Sequence, residues 1–227
     1  NDVVAAISEA CDEAHIDHPD LLSESGRALA AHHSVLVFDV LDVNEVLQGG
    51  TPEPLRDDDP KVLHDLYGLW SGLNQKNIQE SYHDALQLRE QATSLFAMGF
   101  ADLSIRGRAE RLFLQCCEKI LHTVRALPEV PEDLEKLERG LADTYYGNFS
   151  VFQTAPDHWA VGQLFPVMPI HRLDEEPSRR GVFADLTCDS DGTINRFIDH
   201  RDVKDVLELH RWNGKPYYIG MFLLGAY

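Results

Sequence analysis

The chain has 227 residues, 44% of them hydrophobic, so it can bury sizeable cores and does not have the composition of a disordered polypeptide. Its 20 basic and 38 acidic side chains give a formal net charge of −18, which argues against nucleic acid or an anionic membrane surface as a partner and is compatible with a cationic substrate. The four cysteines show neither zinc spacing nor a disulfide framework, and no apolar run approaches the ~20 residues of a membrane span, so we expect a reducing, cytoplasmic environment.

Both ends of the sequence look truncated. The chain starts at Asn1 without a signal peptide, and it stops at Tyr227 inside an apolar run. We therefore expect a fragment of a longer polypeptide.

The first part of the chain predicts alternating helices and strands. Val3–Ala14 has helical spacing of its apolar residues, Leu21–Glu24 is a short strand candidate, and Gly26–Ser34 is a helical run. A clear strand follows at Val35–Leu41. Residues 44–58 are rich in Gly, Pro and Asp and read as a connector.

Residues 59–146 predict a small antiparallel helical bundle. Asp59 is expected to cap the first helix, with Pro60 in its first turn. Apolar residues then recur at helical spacing in successive runs, the last of which starts at Pro131 and extends to Tyr145. The short breaks between the runs favour antiparallel neighbours.

Residues 147–227 predict a β-rich region. Short apolar runs alternate there with Pro and Gly, and the candidate strands are Phe149–Gln153, Gly181–Cys188, Thr193–Ile198 and Tyr217–Leu224.

Cys188 and Asp189 stand at the end of one of these predicted strands. In one pocket, such a thiol can move a proton and the carboxylate beside it can hold a cation. The alternative is a buried small thiol followed by a polar turn, and the pair alone does not decide between the two.

The segment Glu24-Ser25-Gly26-Arg27 is a candidate phosphate site. Gly26 lets the backbone approach a ligand, and Arg27 can bind a phosphate through two hydrogen bonds. The carboxylate of Glu24 fits such a site if the ligand also carries a protonated pyridine nitrogen, with which the carboxylate can pair. The alternative is a loop with a solvated salt bridge. The histidines at His32 and His33 lack a third ligand at metal-binding spacing, so we do not expect a metal site there.

Taken in order, these segments and the final Gly225-Ala226-Tyr227 resemble the pyridoxal-phosphate decarboxylases of basic amino acids with the alanine-racemase-like fold. The fuller resemblance is to the long biosynthetic arginine decarboxylases. It rests on four segments, Glu24–Leu29, Ala31–Val35, Asn148–Gln153 and Phe165–Ile170. It also rests on the helical run at residues 59–146, which resembles an inserted bundle that the shorter ornithine enzymes lack.

The resemblance implies a cofactor site for pyridoxal 5'-phosphate. Glu24 would pair with the pyridinium nitrogen, Gly26 and Arg27 would hold the phosphate, and Tyr227 would touch the same phosphate. The lysine that binds the cofactor covalently in this family lies upstream of this sequence. The long arginine decarboxylases are also associated with Mg²⁺, for which the sequence shows no site.

The resemblance also implies a substrate site and an activity, the decarboxylation of L-arginine to agmatine and carbon dioxide in polyamine biosynthesis. Cys188 would be the proton donor and Asp189 a ligand of the guanidinium. Asp157 is aligned with a second substrate carboxylate. Because the family builds each site from two subunits, a homodimer with shared sites, or a higher oligomer built from it, is implied.

The same resemblance divides an α+β fragment into four parts. Residues 1–34 would end a pyridoxal-phosphate-binding β/α (TIM-like) barrel, 35–58 would hold the first strand of a β domain and a connector, 59–146 the inserted helical bundle, and 147–227 an incomplete β-rich C-terminal barrel domain. Two alternatives stay open. One is a decarboxylase of ornithine, lysine, diaminopimelate or carboxynorspermidine, and the other is a regulatory homologue that binds no cofactor.

Overall fold

The structure is a computed structural model that describes residues 2–47, 49–124, 134, 137–189, 191–200 and 202–226. Its helices are α1 (Asp2–Ala14), α2 (Gly26–Ala30), α3 (Lys61–Gly72), α4 (Ile78–Ala97), α5 (Leu103–Val124), α6 (Leu137–Gly140) and α7 (Pro156–Val161), with a 3-10 turn at Ala31–His33. Its strands are β1 (Leu36–Asn44), β2 (Asp143–Gly147), β3 (Val167–Pro169), β4 (Arg179–Ala184), β5 (Thr193–Ile194), β6 (Phe197–Ile198), β7 (Val203–Lys204), β8 (Leu207–Leu209) and β9 (Tyr218–Met221).

A seven-stranded sheet forms the β-rich region and curls into a half barrel. Its strands pair in the order β3-β9-β1-β2-β4-β5, and β8 also pairs with β4. All neighbours are antiparallel except β2 and β4, which run parallel. The strands β6 and β7 form a separate hairpin. The mixed α+β organisation, with a helical bundle beside a β-rich region, is therefore as predicted.

Aromatic side chains fill the core of the sheet. The ring of Phe38 lies 5.3 Å from that of Phe183 in an edge-on arrangement and 4.8 Å from that of Phe149. Such pairs stabilise a core beyond the area that they bury. The core also explains Gly147, because a Cβ there would lie 2.7 Å from the rings of Phe38 and Phe149.

The bundle is built from α3, α4 and α5, as the helical spacing predicted. Their apolar faces meet in two buried clusters, and Leu63, Leu66, Cys116 and Ile120 are fully buried there. Within the described ranges, no helix is both long and apolar enough to cross a membrane.

The last predicted helix of the bundle, from Pro131 to Tyr145, is wrong beyond Gly140. Asp143–Gly147 is the strand β2, whose residues pair with β1 in the register Val43 with Tyr145. Buried and half-buried residues alternate along β2, so the apolar Tyr145 extends the helical spacing only by coincidence. Pro131, where this helix was predicted to start, lies outside the described residues.

Two of the predicted strands are also wrong. Leu21–Glu24 is not a strand, and Leu22 is 98% exposed. Phe149–Gln153 is a turn, because the backbone N–H groups of Gln153 and Thr154 both donate to the carbonyl of Ser150. The threonine hydroxyl donates to the same carbonyl, a local side-chain bond that competes with strand pairing.

The other strand predictions are confirmed in part. The strand starting near Gly181 ends at Ala184, Thr193–Ile198 is split into β5 and β6, and the last strand covers Tyr218–Met221. The strands β3, β7 and β8 and the helix α7 were not predicted.

Asp59 does not cap α3, in contrast to the prediction. Its carboxylate is held by the guanidinium of Arg108 on α5, with Nη2 2.8 Å from Oδ2. Both side chains are nearly buried, at 6% and 7% exposure. The hydrogen bond from Arg108 lowers the pKa of Asp59, so the pair stays charged in the folded protein and ties the start of α3 to α5.

Candidate active site

The predicted phosphate segment forms the start of α2, and the space beside Gly26 is open. Ser25 precedes the helix, but its hydroxyl bonds to that of Ser23 (2.7 Å) and does not cap α2. Glu24 and Arg27 are exposed. No described atom lies within 4 Å of the position that a Cβ on Gly26 would take. A ligand can therefore reach this part of the backbone.

Arg27 forms an ion pair with Asp157, the candidate second substrate carboxylate. Arg27 Nη2 lies 2.6 Å from Asp157 Oδ2, and the two side chains are 45% and 17% exposed. The oxygen is buried and makes no aligned hydrogen bond, so the contact is one of opposite charges. The structure thus brings together two predicted site residues that lie far apart in the sequence.

Asp157 is positioned by a short helix with unusual backbone at both ends. The buried Ala155 precedes α7 in the left-handed conformation, at φ 46° and ψ 53°, which is unfavourable for a residue with a Cβ. Gly162 ends α7 at φ 69°, where glycine has no such cost. Such strained positions persist where the surrounding structure determines them, here beside a candidate site.

The end of the chain packs against the 3-10 turn that follows α2. The backbone N–H of Gly225 donates to the carbonyl of Ala31 (2.8 Å), and that of Leu224 donates to the carbonyl of Ser34 (3.1 Å). Gly225 and the Arg27-bearing helix are therefore neighbours, as a shared phosphate site requires. Tyr227, the predicted phosphate contact, lies outside the described residues.

Cys188 and Asp189 lie on the loop that follows β4, and both are exposed. Within the part of the chain that the structure describes, the thiol contacts no polar side chain other than its neighbour, with Sγ 3.8 Å from Asp189 Oδ2. The buried-thiol alternative is therefore wrong for Cys188. Both groups are exposed in the described part of the chain.

The base of this loop is fixed by Asp185, which sequence reasoning missed. Its carboxylate is buried and accepts hydrogen bonds from the backbone N–H of Val151 (3.0 Å) and from the hydroxyl of Thr187. Gly192 packs directly against the same carboxylate. A Cβ there would lie 2.8 Å from Asp185 Cγ, so the position has no room for a side chain. The alternation of buried residues along β4 could have predicted that Asp185 is buried, since it follows Gly181 and Phe183 on the inward face.

The predicted site residues thus form two separate groups. Arg27 and Asp157 are in contact, and Gly225 lies beside the turn that follows the same helix. Cys188 and Asp189 make no hydrogen bond or ion pair with that group among the residues described here. The described residues also hold no cluster of three or more metal-ligating side chains.

Comparison with known proteins shows which proteins this chain resembles. Residues 56–138 match the family model of the arginine decarboxylase helical bundle domain. Over the whole chain, the sequence is 56% identical to the biosynthetic arginine decarboxylase of Gloeobacter violaceus and 55% identical to that of Nostoc sp., of which it covers 35% and 33%.

A solved structure gives the same result for the fold. The whole chain superposes on 36% of the biosynthetic arginine decarboxylase from Campylobacter jejuni, with a TM-score of 0.69 and 35% identity. The chain spans about a third of the length of the curated relatives that it matches. It is therefore homologous to a segment of the biosynthetic arginine decarboxylases that includes their helical bundle domain.

Proposed function

We propose that the protein containing this chain decarboxylates L-arginine to agmatine and carbon dioxide, as a cytoplasmic enzyme of polyamine biosynthesis that uses pyridoxal 5'-phosphate. The observation that carries the proposal is the identity above 50% to biosynthetic arginine decarboxylases over the full length of the chain. Residues 1–34 are then the end of a β/α barrel, and the sheet region is part of a second barrel domain.

The residues predicted for the cofactor suit its chemistry. A half-exposed guanidinium, that of Arg27, is the side chain best suited to bind a phosphate through two hydrogen bonds. The open space beside Gly26 leaves room for the phosphate. Glu24 is an exposed carboxylate that can pair with a protonated pyridine nitrogen.

The chemistry is divided between cofactor and protein. When bound, pyridoxal phosphate would supply an electron sink for the loss of carbon dioxide. Glu24 keeps the pyridine nitrogen protonated, and Cys188 delivers the proton to the substrate Cα as a general acid. Asp189 binds the guanidinium of arginine through charge-assisted hydrogen bonds.

Asp157 has a secondary role in this proposal. Its carboxylate already faces the guanidinium of Arg27 at 2.6 Å. A carboxylate that is neutralised in this way attracts a second guanidinium less strongly. We therefore assign the main substrate contact to Asp189.

The exposure of the Cys188 loop is compatible with a homodimer with shared sites. Cys188 and Asp189 are exposed on a loop whose base is fixed, and they make no hydrogen bond or ion pair with Arg27 among the described residues. In a two-fold dimer, each such loop can complete the site of the other subunit. A higher oligomer can be built from the same dimer.

The experiment is a product assay on the full-length protein. With added pyridoxal phosphate, we expect agmatine from arginine at a kcat/KM well above that for ornithine, lysine or diaminopimelate, and Cys188→Ala should lower kcat. A preference for another amino acid would move the protein to a different decarboxylase class. Absence of a cofactor absorbance band would indicate the regulatory alternative.

A further inference from the structure

Among the described glycines, Gly225 leaves the least room for a side chain, at the point where it crosses the turn after α2. An ideal Cβ on Gly225 would lie 2.0 Å from the carbonyl oxygen of Ala30 and 2.1 Å from Nδ1 of His33. Real Cβ atoms essentially never approach other atoms within 3.0 Å. The backbone oxygen cannot rotate away as a side chain could, so the crossing accepts only glycine.

His33 takes part in the same contact through a defined tautomer. Its Nδ1 lies 2.6 Å from the carbonyl oxygen of Ala30, and a carbonyl only accepts hydrogen bonds, so Nδ1 carries the proton. The ring therefore fixes the last carbonyl of α2 and covers Gly225 at once. The neighbouring His32 makes no such contact in the described structure, although both histidines are exposed.

These contacts matter because α2 cannot hold its own orientation. It has five residues, whereas isolated helices below ~12–15 residues are marginal in water. None of its residues is buried. The helix is instead fixed by the His33 bond to Ala30, by the backbone bond from Gly225 and by the ion pair of Arg27 with Asp157.

We propose that His33 and Gly225 are positioning residues of the cofactor-phosphate site: they lock the helix that carries Arg27 onto the segment that leads to Tyr227. The inference rests on the function proposed above. Neither residue needs to touch the phosphate. Both act by fixing the helix that carries Arg27 against the segment that ends the described chain.

The test compares the two adjacent histidines in the full-length protein. His33→Leu removes the donor, His33→Asn places an amide nitrogen near the position of Nδ1, and His32→Leu is the matched control. The readouts are the dissociation constant of pyridoxal phosphate, the ³¹P chemical shift of the bound cofactor, and kcat at saturating cofactor. The ³¹P shift reports the phosphate environment, which a general loss of stability would not change.

We expect His33→Leu to weaken cofactor binding about tenfold, the effect of losing one hydrogen bond of ordinary strength, and to move the ³¹P resonance. His33→Asn should restore most of the affinity, and His32→Leu should change neither readout. At saturating cofactor, the kcat of the control variant His32→Leu should stay close to wild type.

Gly225→Ala should have a larger effect on the same two readouts, with Gly68→Ala as the control, because nothing lies within 4 Å of a Cβ at Gly68. If Gly225→Ala does not fold, the histidine series still decides. Equal cofactor affinity and equal ³¹P shifts in His33→Leu and His32→Leu would overturn the inference and leave the proposed function standing. A wild-type protein that binds no pyridoxal phosphate would overturn the proposed function and the inference with it.

Discussion

The helical bundle and the sheet region use their residues for different purposes. All predicted site residues lie outside α3, α4 and α5, whose apolar faces form two buried clusters. The candidate site residues lie on short helices and loops outside the bundle, where an ion pair joins α2 to α7 and a hydrogen bond joins Gly225 to the turn after α2. Substitutions in the bundle should therefore change stability, and substitutions of these site residues should change cofactor binding or catalysis.

The cysteines show the same difference within one residue type. Cys116 and Cys117 lie in the bundle core, and burial raises the pKa of each thiol to about 12. They remain protonated at neutral pH and pack as small apolar side chains. Cys188 is exposed on its loop. Among the cysteines, it is the one that a substrate can reach.

The largest expected effect is that of Asp189→Asn in the full-length enzyme. In the proposed dimer, the second subunit shields the pair of Asp189 and the guanidinium. Removing one partner of a shielded ion pair costs about 3–5 kcal/mol, so kcat/KM for arginine should fall about a hundredfold or more. An arginine analogue without a charged end should lose much less, because it never used the carboxylate. Equal losses of kcat/KM for both substrates would show that Asp189 maintains the structure of the site and does not bind the guanidinium.

A smaller effect is expected in the bundle from Arg108→Leu. The substitution leaves Asp59 nearly buried without its partner, which should lower the free energy of unfolding by about 2–3 kcal/mol, somewhat less than for a pair in the deep interior. The kcat/KM of the folded enzyme should stay unchanged. Urea denaturation measures the free energy of unfolding, and Arg111→Leu, at an exposed position, is the control. A loss of kcat/KM without loss of stability would contradict the division between the two regions.

The same pair gives a pH dependence with a defined sign. Because Arg108 lowers the pKa of Asp59 in the folded protein, the stabilisation is complete above the ordinary carboxyl pKa of about 4 and is lost as the pH falls through the lower, folded value. The difference in unfolding free energy between wild type and Arg108→Leu should therefore be largest near neutral pH and shrink as the pH falls into the acidic range, because the unpaired Asp59 of the variant takes up a proton more readily than the paired one.

Asp185→Ala should have an intermediate effect on catalysis. It leaves the N–H of Val151 without its carboxylate acceptor, which costs about 1–3 kcal/mol, and it loosens the base of the loop that carries Cys188. We expect kcat to fall about tenfold, at 1.4 kcal/mol per decade, with little change in cofactor affinity. The exposed Asp191→Ala is the control, and the same loss in both variants would remove the special role of Asp185.

The smallest effect is expected for Glu110→Gln. This side chain pairs with Arg89 on the bundle surface, with 2.8 Å between Nη2 and Oε1, and both are well exposed. Exposed pairs contribute about 1 kcal/mol or less and are screened by salt. Thermal denaturation should show a slight decrease in the melting temperature at low salt and no decrease at high salt. A loss as large as that of Arg108→Leu would mean that burial does not decide the strength of pairs in the bundle.

Local spacing predicted much of the fold, and it was wrong where long-range pairing decides. The bundle helices follow from apolar residues at helical spacing, which is a property of the local sequence. Tyr145 fits the same spacing, yet pairing with β1 places it in a strand. Phe149 is buried as a strand residue would be, but hydrogen bonds to Ser150 turn the chain there.

The candidate site could be predicted as a set of residue types but not as an arrangement. Glu24, Arg27 and Cys188 were found through a resemblance that needs no geometry. The ion pair between Arg27 and Asp157 was not predicted, because nothing in the local sequence indicates that α2 and α7 meet. The close crossing at Gly225 was missed for the same reason, since a glycine carries no pattern of its own.

The central claim is that Arg27 and Cys188 serve one active site from two different subunits. The most direct measurement mixes two inactive full-length variants, Arg27→Ala and Cys188→Ala, under conditions that allow subunit exchange. Each heterodimer then has one intact site if sites are shared across a two-fold axis, so activity should recover to about a quarter of that of wild type. If both residues belonged to the same subunit, no heterodimer would have an intact site, and activity that stays at the level of the separate variants after proven exchange would contradict the account.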